Sequence, residues 1–192
     1  MAFKEHFTSF CELDVNDLYI LRQVNPEKDL DAYSEIYADP DVFKYYEGGT
    51  TTSDRERVSL ILKNQCKEFE KTRVYTWVIA GKQSDKALGR IHLSEFACNN
   101  RTANIGYFLH KDSWGKGIVS ACIKPVAAFG FSKLGLERIY TTVHTDNTAS
   151  WKALEKNGFT REGLLRHSMN LKSGLSDCYM YAKLSTDESN LL

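Results

Sequence analysis

The chain has 192 residues, and its 25 lysines and arginines balance its 25 aspartates and glutamates. That length suits one domain with a sizeable core, and the even charge exerts no global pull toward nucleic acid or an anionic membrane. Cys11, Cys66, Cys98, Cys122 and Cys178 form an odd, scattered set without a Cys-x-x-Cys pair, which fits neither a disulfide framework nor a zinc site, and no metal is expected.

The first 17 residues are polar and charged, an extension without an apolar signal region, and no apolar run reaches membrane length. The expectation is a cytoplasmic protein. Residues 18–24 read as a first strand, and Asn25-Pro26-Glu27 is a helix-entry signal. Leu30, Tyr33, Ile36 and Tyr37 then recur at helical spacing over residues 27–38, and Asp39-Pro40 stops the helix. A second helix opens at residues 52–56, where Ser53 and Glu56 fit a capping box; Val58, Ile61, Leu62, Gln65, Cys66 and Phe69 form its apolar stripe. Residues 74–80 and 87–96 read as strands joined by a hairpin turn at 81–86. A polar loop, a central strand at 104–109 and a helix over 117–134 follow. Pro125 sits well inside that helix, where a missing hydrogen bond costs roughly 3 kcal/mol unless the axis bends, so a bend is expected. Residues 138–145 are rich in β-branched side chains and read as a strand. Asp146-Asn147-Thr148-Ala149-Ser150 starts a further helix, which Asn157-Gly158-Phe159 ends. Strands at 160–168 and 175–184 and a tail at 185–192 complete a single α/β domain covering residues 1–192.

The stretch from Ile105 to Val119 is a strand, a turn with Gly115 and Gly117 one residue apart, and the first turn of a helix. A strand that delivers its chain to a glycine-lined helix N-terminus forms an anion site: unpaired N–H groups point outward, the dipole favours negative charge, and glycine lets a phosphate approach the backbone. The dinucleotide fingerprint fails, because Ser120 stands where its third glycine belongs. The phosphate loop Gly-x-x-x-x-Gly-Lys-Ser/Thr fails too, because Lys116 lies between the glycines and Ile118 follows them.

Taken in order, several pieces resemble a GCN5-related N-acetyltransferase (GNAT), and within that superfamily the RimJ/RimL-like ribosomal-protein N-terminal acetyltransferases. The pieces are Leu21-Arg22-Gln23-Val24, Tyr37-Ala38-Asp39-Pro40-Asp41-Val42, Ile105-Gly106-Tyr107, Trp114-Gly115-Lys116-Gly117, Asn147-Thr148-Ala149-Ser150, Asn157-Gly158-Phe159 and Asp177-Cys178-Tyr179-Met180-Tyr181-Ala182. The resemblance implies a mixed, mostly antiparallel seven-stranded sheet, splayed in the middle and flanked by about four helices. It implies acetyl-CoA as co-substrate, lying where strand 104–109 parts from strand 138–144. Phe108, Leu109, Trp114, Gly115, Lys116, Gly117, Ile118, Val119, Asn147 and Ser150 are the expected cofactor-binding residues. The family pattern Arg/Gln-x-x-Gly-x-Gly/Ala is matched at both glycines, but Asp112 stands at its first position. Lys116 either adds a charge-assisted contact or faces water.

Acetyl transfer from a thioester to an amine needs a neutral amine, donors for the oxyanion and a stabilised thiolate; alignment of the two substrates supplies further rate. By resemblance Asn147 binds the pantetheine arm and Ser150 lies near the sulfur as the acid, against a plainer role for both in capping the helix. Glu95, on a strand where many GNAT enzymes carry a carboxylate, is the candidate base, against a merely solvated charge. The acidic residue expected after the Gly-Phe helix exit is absent from Arg166-His167-Ser168-Met169-Asn170, leaving His167 or solvent as substitutes. His92 and His144 read as core or cleft polar residues, Tyr179 and Tyr181 as packing, and Asp177 as ordering a turn. Trp77 and Trp151 are expected in the core or at its rim. Phe43, Tyr45 and Tyr46, beside Glu47-Gly48-Gly49, either line an acceptor pocket or simply pack. The expected acceptor is a protein N-terminal amine, a ribosomal protein among the partners; a small-molecule amine and a catalytically silent acyl-CoA-binding or ribosome-associated module are the alternatives. Neither direct nucleic-acid nor membrane contact is expected, and the family often pairs into homodimers.

Overall fold

In the computed structural model, which describes residue 7 and residues 9–46 and 51–187, thirteen elements alternate much as the sequence patterning requires. The strands are β1 (Leu13–Asp14), β2 (Tyr19–Arg22), β3 (Tyr75–Gly81), β4 (Ala87–Ala97), β5 (Thr102–Leu109), β6 (Arg138–His144), β7 (Thr160–Leu171) and β8 (Gly174–Leu184). The helices are α1 (Leu30–Ala38), α2 (Arg55–Glu70), α3 (Ile118–Ser132) and α4 (Thr148–Lys156), with a 3-10 turn at Lys111–Ser113. Among the described residues, no helix is long and apolar enough to cross a membrane.

The strands form one sheet in the order β1-β2-β3-β4-β5-β6-β8-β7. The sheet has eight strands rather than the expected seven, because the amino-terminal extension contributes β1. Asn16 turns the chain there: its Oδ1 accepts the N–H groups of Leu18 at 2.9 Å and Tyr19 at 3.0 Å, and Leu13 pairs with Leu21. A two-residue strand has no alternation for the sequence to display.

Period-two alternation sends neighbouring residues of the central strands to opposite faces, and each face carries its own core. Tyr75, Trp77, Ile91, Ile105 and Ile139 pack with Ile118, Cys122, Ile123 and Val126 of α3 and Leu154 of α4. Val78, Ala80 and Phe108, on the other face, pack with Tyr33, Ile36 and Tyr37 of α1 and Val58 and Leu62 of α2. Trp77 is wholly buried and stacks on Tyr75, as expected of a core residue, and its Nε1 donates to the Cys11 carbonyl at 2.8 Å.

Helix starts depart from expectation by a few residues, for local reasons. At α1 the Asp29 carboxylate is held by Arg22, at 2.6 Å, and by the Asn25 N–H, at 2.9 Å, so the chain turns before it coils and helix begins at Leu30. At α2 the capping side chain is Asp54, not Ser53; it accepts from the N–H groups of Glu56 and Arg57. Helix α3 runs through Pro125 as one continuous element.

All strand pairs are antiparallel except β5 with β6. That parallel pairing covers only Thr102 with Arg138, Ala103 with Ile139 and Asn104 with Tyr140. Beyond Asn104 and Tyr140 the two strands separate, and the rest of β5 faces a fork in the sheet.

Candidate active site

At the open end of the fork, β5 passes into the 3-10 turn. Trp114 closes that turn with its N–H on the Lys111 carbonyl, and its Nε1 donates to the Leu109 carbonyl at 3.1 Å. Gly115 and Gly117 follow with φ of 73° and 72°, the left-handed region that disfavours any residue with a Cβ. Helix α3 starts without a side-chain cap, and its first backbone bond runs from Ala121 N–H to the Gly117 carbonyl. Among the described residues the N–H groups of residues 115–120 therefore have no acceptor. A Cβ built on either glycine would meet nothing within 4 Å. A patch of bare amides faces empty space at the positive end of a helix, which is what an anionic ligand requires. The Asp112 side chain points out to solvent and is 90% exposed, so it takes no part in this patch.

A cleft of about 610 Å³ runs from these amides into the fork. Phe108 and Leu109 of β5 line it, with Trp114, Gly115, Gly117, Ile118 and Val119 of the turn and helix start. Asn147 and Ser150 line it from the start of α4. Thus the structure brings together every expected cofactor-binding residue except Lys116, which is exposed and not among the lining residues. Asn147 does cap α4, accepting the Ser150 N–H at 3.3 Å, while also facing the cleft. The two readings of that residue are compatible.

Ser150 has a partner that the sequence did not single out. The Tyr107 hydroxyl lies 2.9 Å from Ser150 Oγ, and Tyr107 also lines the cleft. Burial pushes this phenol up to about 12, with the Ser150 hydrogen bond acting in the opposite direction. Tyr107 alternates with Ile105 and Leu109, so its pattern reads as core; only its place in the Ile-Gly-Tyr motif could have marked it.

Glu95 stands apart. Its φ of 54° belongs to an irregularity between Ser94 and Ala97 in β4, and its Oε2 accepts from the Tyr140 hydroxyl at 2.9 Å. Ser94 pairs with Asn104, and Asn104 with Tyr140, so Glu95 lies beside the closed end of the fork and is not among the residues lining the cleft. His167 also has a left-handed φ, at 49°; its N–H donates to the Asp177 carboxylate at 2.8 Å in an irregularity of β7. Asp177 thus orders β7 rather than the turn before its own strand. Arg161 lies 4.0 Å from the centre of the Tyr179 ring and donates to the Tyr181 hydroxyl at 2.7 Å, which accounts for both tyrosines through packing. Trp151 is half-buried at the rim, beneath the same guanidinium.

His92 is buried against Gly106, the glycine of the Ile-Gly-Tyr motif. Its Nδ1 has no hydrogen-bond partner among the described residues, and burial, with the Arg90 charge beside it, holds the ring well below its ordinary pKa. The ring therefore stays neutral in the folded protein while the unfolded chain takes up a proton below pH 6.5. The contribution of this ring to stability is complete above that value and falls as pH drops through it. Thermal melts at about pH 7.5 and about pH 5.5 should show a smaller acid-induced drop for His92→Gln than for the parent protein. A Cβ at Gly106 would stand 2.5 Å from His92 Cε1. Gly106→Ala should cost about 2 kcal/mol in urea unfolding, since a confined ring has little room to move.

A second cavity of about 880 Å³ adjoins the cleft. The two share Asp41, Lys44, Tyr45, Tyr46 and Asp146, so the chain segment 41–46 stands between them. Tyr45 stacks on His144 at 4.8 Å, and His144 Nδ1 accepts the Asp146 N–H at 3.1 Å. Arg90 donates to the Tyr46 hydroxyl at 3.1 Å while lying over the Phe108 ring. Phe43 packs on Tyr37 behind them. The aromatic trio therefore both packs and lines cavities. Glu47, Gly48 and Gly49 lie outside the described residues.

The family description "Acetyltransferase (GNAT) domain" matches residues 19–160. The N-acetyltransferase YoaA of Bacillus subtilis, itself uncharacterized, is 32% identical over 166 residues, covering 86% of this chain and 93% of that protein. A ribosomal-protein-serine acetyltransferase of Escherichia coli is 28% identical over 102 residues, covering 53% of this chain and 57% of its own length. Among solved structures, RimL, a ribosomal alpha-N-protein acetyltransferase in complex with coenzyme A, superposes with a TM-score of 0.82 at 18% identity, covering 91% of this chain and 98% of that one.

Proposed function

Since the chain belongs to the GNAT acetyltransferase family and is an N-acetyltransferase, we propose that it moves an acetyl group from acetyl-CoA directly to a protein N-terminal amine. The observation that carries this reading is the run of amides at residues 115–120 that have no acceptor among the described residues, opening onto a cleft that leads to Ser150. Those amides fit a diphosphate, and the open space over Gly115 and Gly117 leaves room for it. Asn147 and Ser150, farther in, fit the pantetheine arm and the sulfur. Acetyl-CoA supplies the activated acyl group; the protein aligns it, excludes water and stabilises the charge that develops on oxygen and sulfur.

The second cavity suits the acceptor. It meets the cleft at Tyr45, Tyr46 and Asp146, so an amine entering there arrives beside the fork from outside. Of the carboxylates lining the cleft, Asp41 is engaged by Lys111 at 2.5 Å, while Asp146 is exposed where the two cavities join. Glu95 would reach the amine only through intervening solvent, so we assign the amine proton to water at that junction. The ribosomal-protein relatives support a protein N-terminus as the acceptor.

Isotope-labelled acetyl-CoA incubated with a mixture of peptides bearing free N-termini, polyamines and amino acids tests this directly. Mass spectrometry should find the label on peptide N-termini. Label confined to small amines would reassign the acceptor, and bound cofactor without any acetylated product would make the chain a silent binding module.

A further inference from the structure

Resting on the reading of Ser150 as the group beside the sulfur, we propose that Tyr107 is a positioning residue that aims the Ser150 hydroxyl at the departing thiolate of coenzyme A. Either hydroxyl can donate across their 2.9 Å contact, and we take Tyr107 as the donor on the ground of where the two protons go. Each hydroxyl carries one. Among the described residues the Tyr107 hydroxyl has two hydrogen-bond contacts, both on Ser150: Oγ at 2.9 Å and the carbonyl oxygen at 3.4 Å. Ser150 Oγ has no partner other than Tyr107 among the described residues. If Ser150 donated to Tyr107, the phenol would place its own proton on the Ser150 carbonyl at 3.4 Å, longer than an ordinary O–H···O bond. If Tyr107 donates along the short contact, the phenol is satisfied and the Ser150 proton is free to turn into the cleft.

The surroundings reinforce this choice. Burial makes the phenol reluctant to ionise, so it remains a donor. The Ser150 backbone is held independently, its N–H on the Asn147 side chain, so only the hydroxyl rotor needs a guide. Two hydroxyls in series polarise one another, which strengthens the outer donor. Tyr107 comes from β5 and Ser150 from α4, so the contact spans the fork and fixes the donor against the strand on which the thioester would lie.

In the transfer step the amine nitrogen bonds to the thioester carbon, the carbon–sulfur bond breaks, and its electron pair leaves on sulfur. The extra amine proton passes to water. The O–H bonds of Ser150 and Tyr107 both stay intact; Ser150 donates a hydrogen bond to the thiolate, which later takes a proton from solvent.

The test uses coenzyme A alone and needs no acceptor. Bound to the full-length protein, its thiol is titrated by the ultraviolet absorbance of the thiolate in the parent, Tyr107→Phe, Ser150→Ala and the double variant. The parent should lower the thiol pKa relative to free coenzyme A. Ser150→Ala should raise the bound value by about one pH unit and Tyr107→Phe by about half a unit, with the double variant matching Ser150→Ala. Melting temperatures and coenzyme A affinity report whether Tyr107→Phe has disturbed the fold, which a ring-conserving change should not. Full affinity with an unmoved thiol in Tyr107→Phe, or additive shifts in the double variant, would overturn the proposal. Failure of the parent to bind coenzyme A would overturn both this proposal and the acetyl-CoA reading, whereas failure of peptide acetylation with the titration intact would strike only the acceptor.

Discussion

Ser150→Ala should lower kcat about 100-fold while leaving the dissociation constant for acetyl-CoA within about twofold of the parent. The asymmetry follows from what the substitution removes. Asn147 caps α4 through the Ser150 backbone N–H, which alanine retains, so the helix start and the cleft wall persist. The hydroxyl alone is lost, and it matters most when charge collects on sulfur, late in the reaction rather than on binding. Steady-state kinetics with a peptide acceptor, alongside calorimetric binding of coenzyme A, separates the two quantities. An unchanged kcat would reduce the serine to a helix residue.

Gly117→Val should weaken coenzyme A binding at least about 30-fold, the mirror image of the first result. A φ of 72° costs a residue with a Cβ about 1–2 kcal/mol, and a branched side chain would occupy the open space over Gly117 beside the bare amides. Gly135→Val is the matched control: its φ of 65° is also left-handed and its surroundings also open, but it lies beyond the far end of α3. Both variants should lose stability to a similar degree. Only Gly117→Val should lose affinity, measured by calorimetry.

What the sequence disclosed follows the reach of local patterning. The strand–turn–helix from Ile105 to Val119 is encoded by contiguous residues, and the bare amides lie where the paired glycines place them. The capping role of Asn147 likewise follows from spacing. Tyr107 escaped because an aromatic residue alternating with Ile105 and Leu109 is indistinguishable from packing until α4 is laid across it. Glu95 shows the converse. Simple alternation sets it on the same face as Leu93, but the irregularity at its left-handed φ turns the carboxylate toward Tyr140. The second cavity joins segment 41–46 to the hairpin near Asn170 and Ser176, residues so far apart in the chain that no period connects them. The eighth strand is too short to announce itself.

The brevity of the β5–β6 pairing has a mechanical consequence. A sheet of eight strands is stitched between its first five and its last three by three residue pairs, so the two parts share only a short seam. Ala103 and Ile139, both fully buried in the core that includes α3, add apolar packing to that seam's few backbone bonds. Loosening this apolar stitch would let the two parts swing relative to each other, changing the width of the fork without touching any residue that lines it.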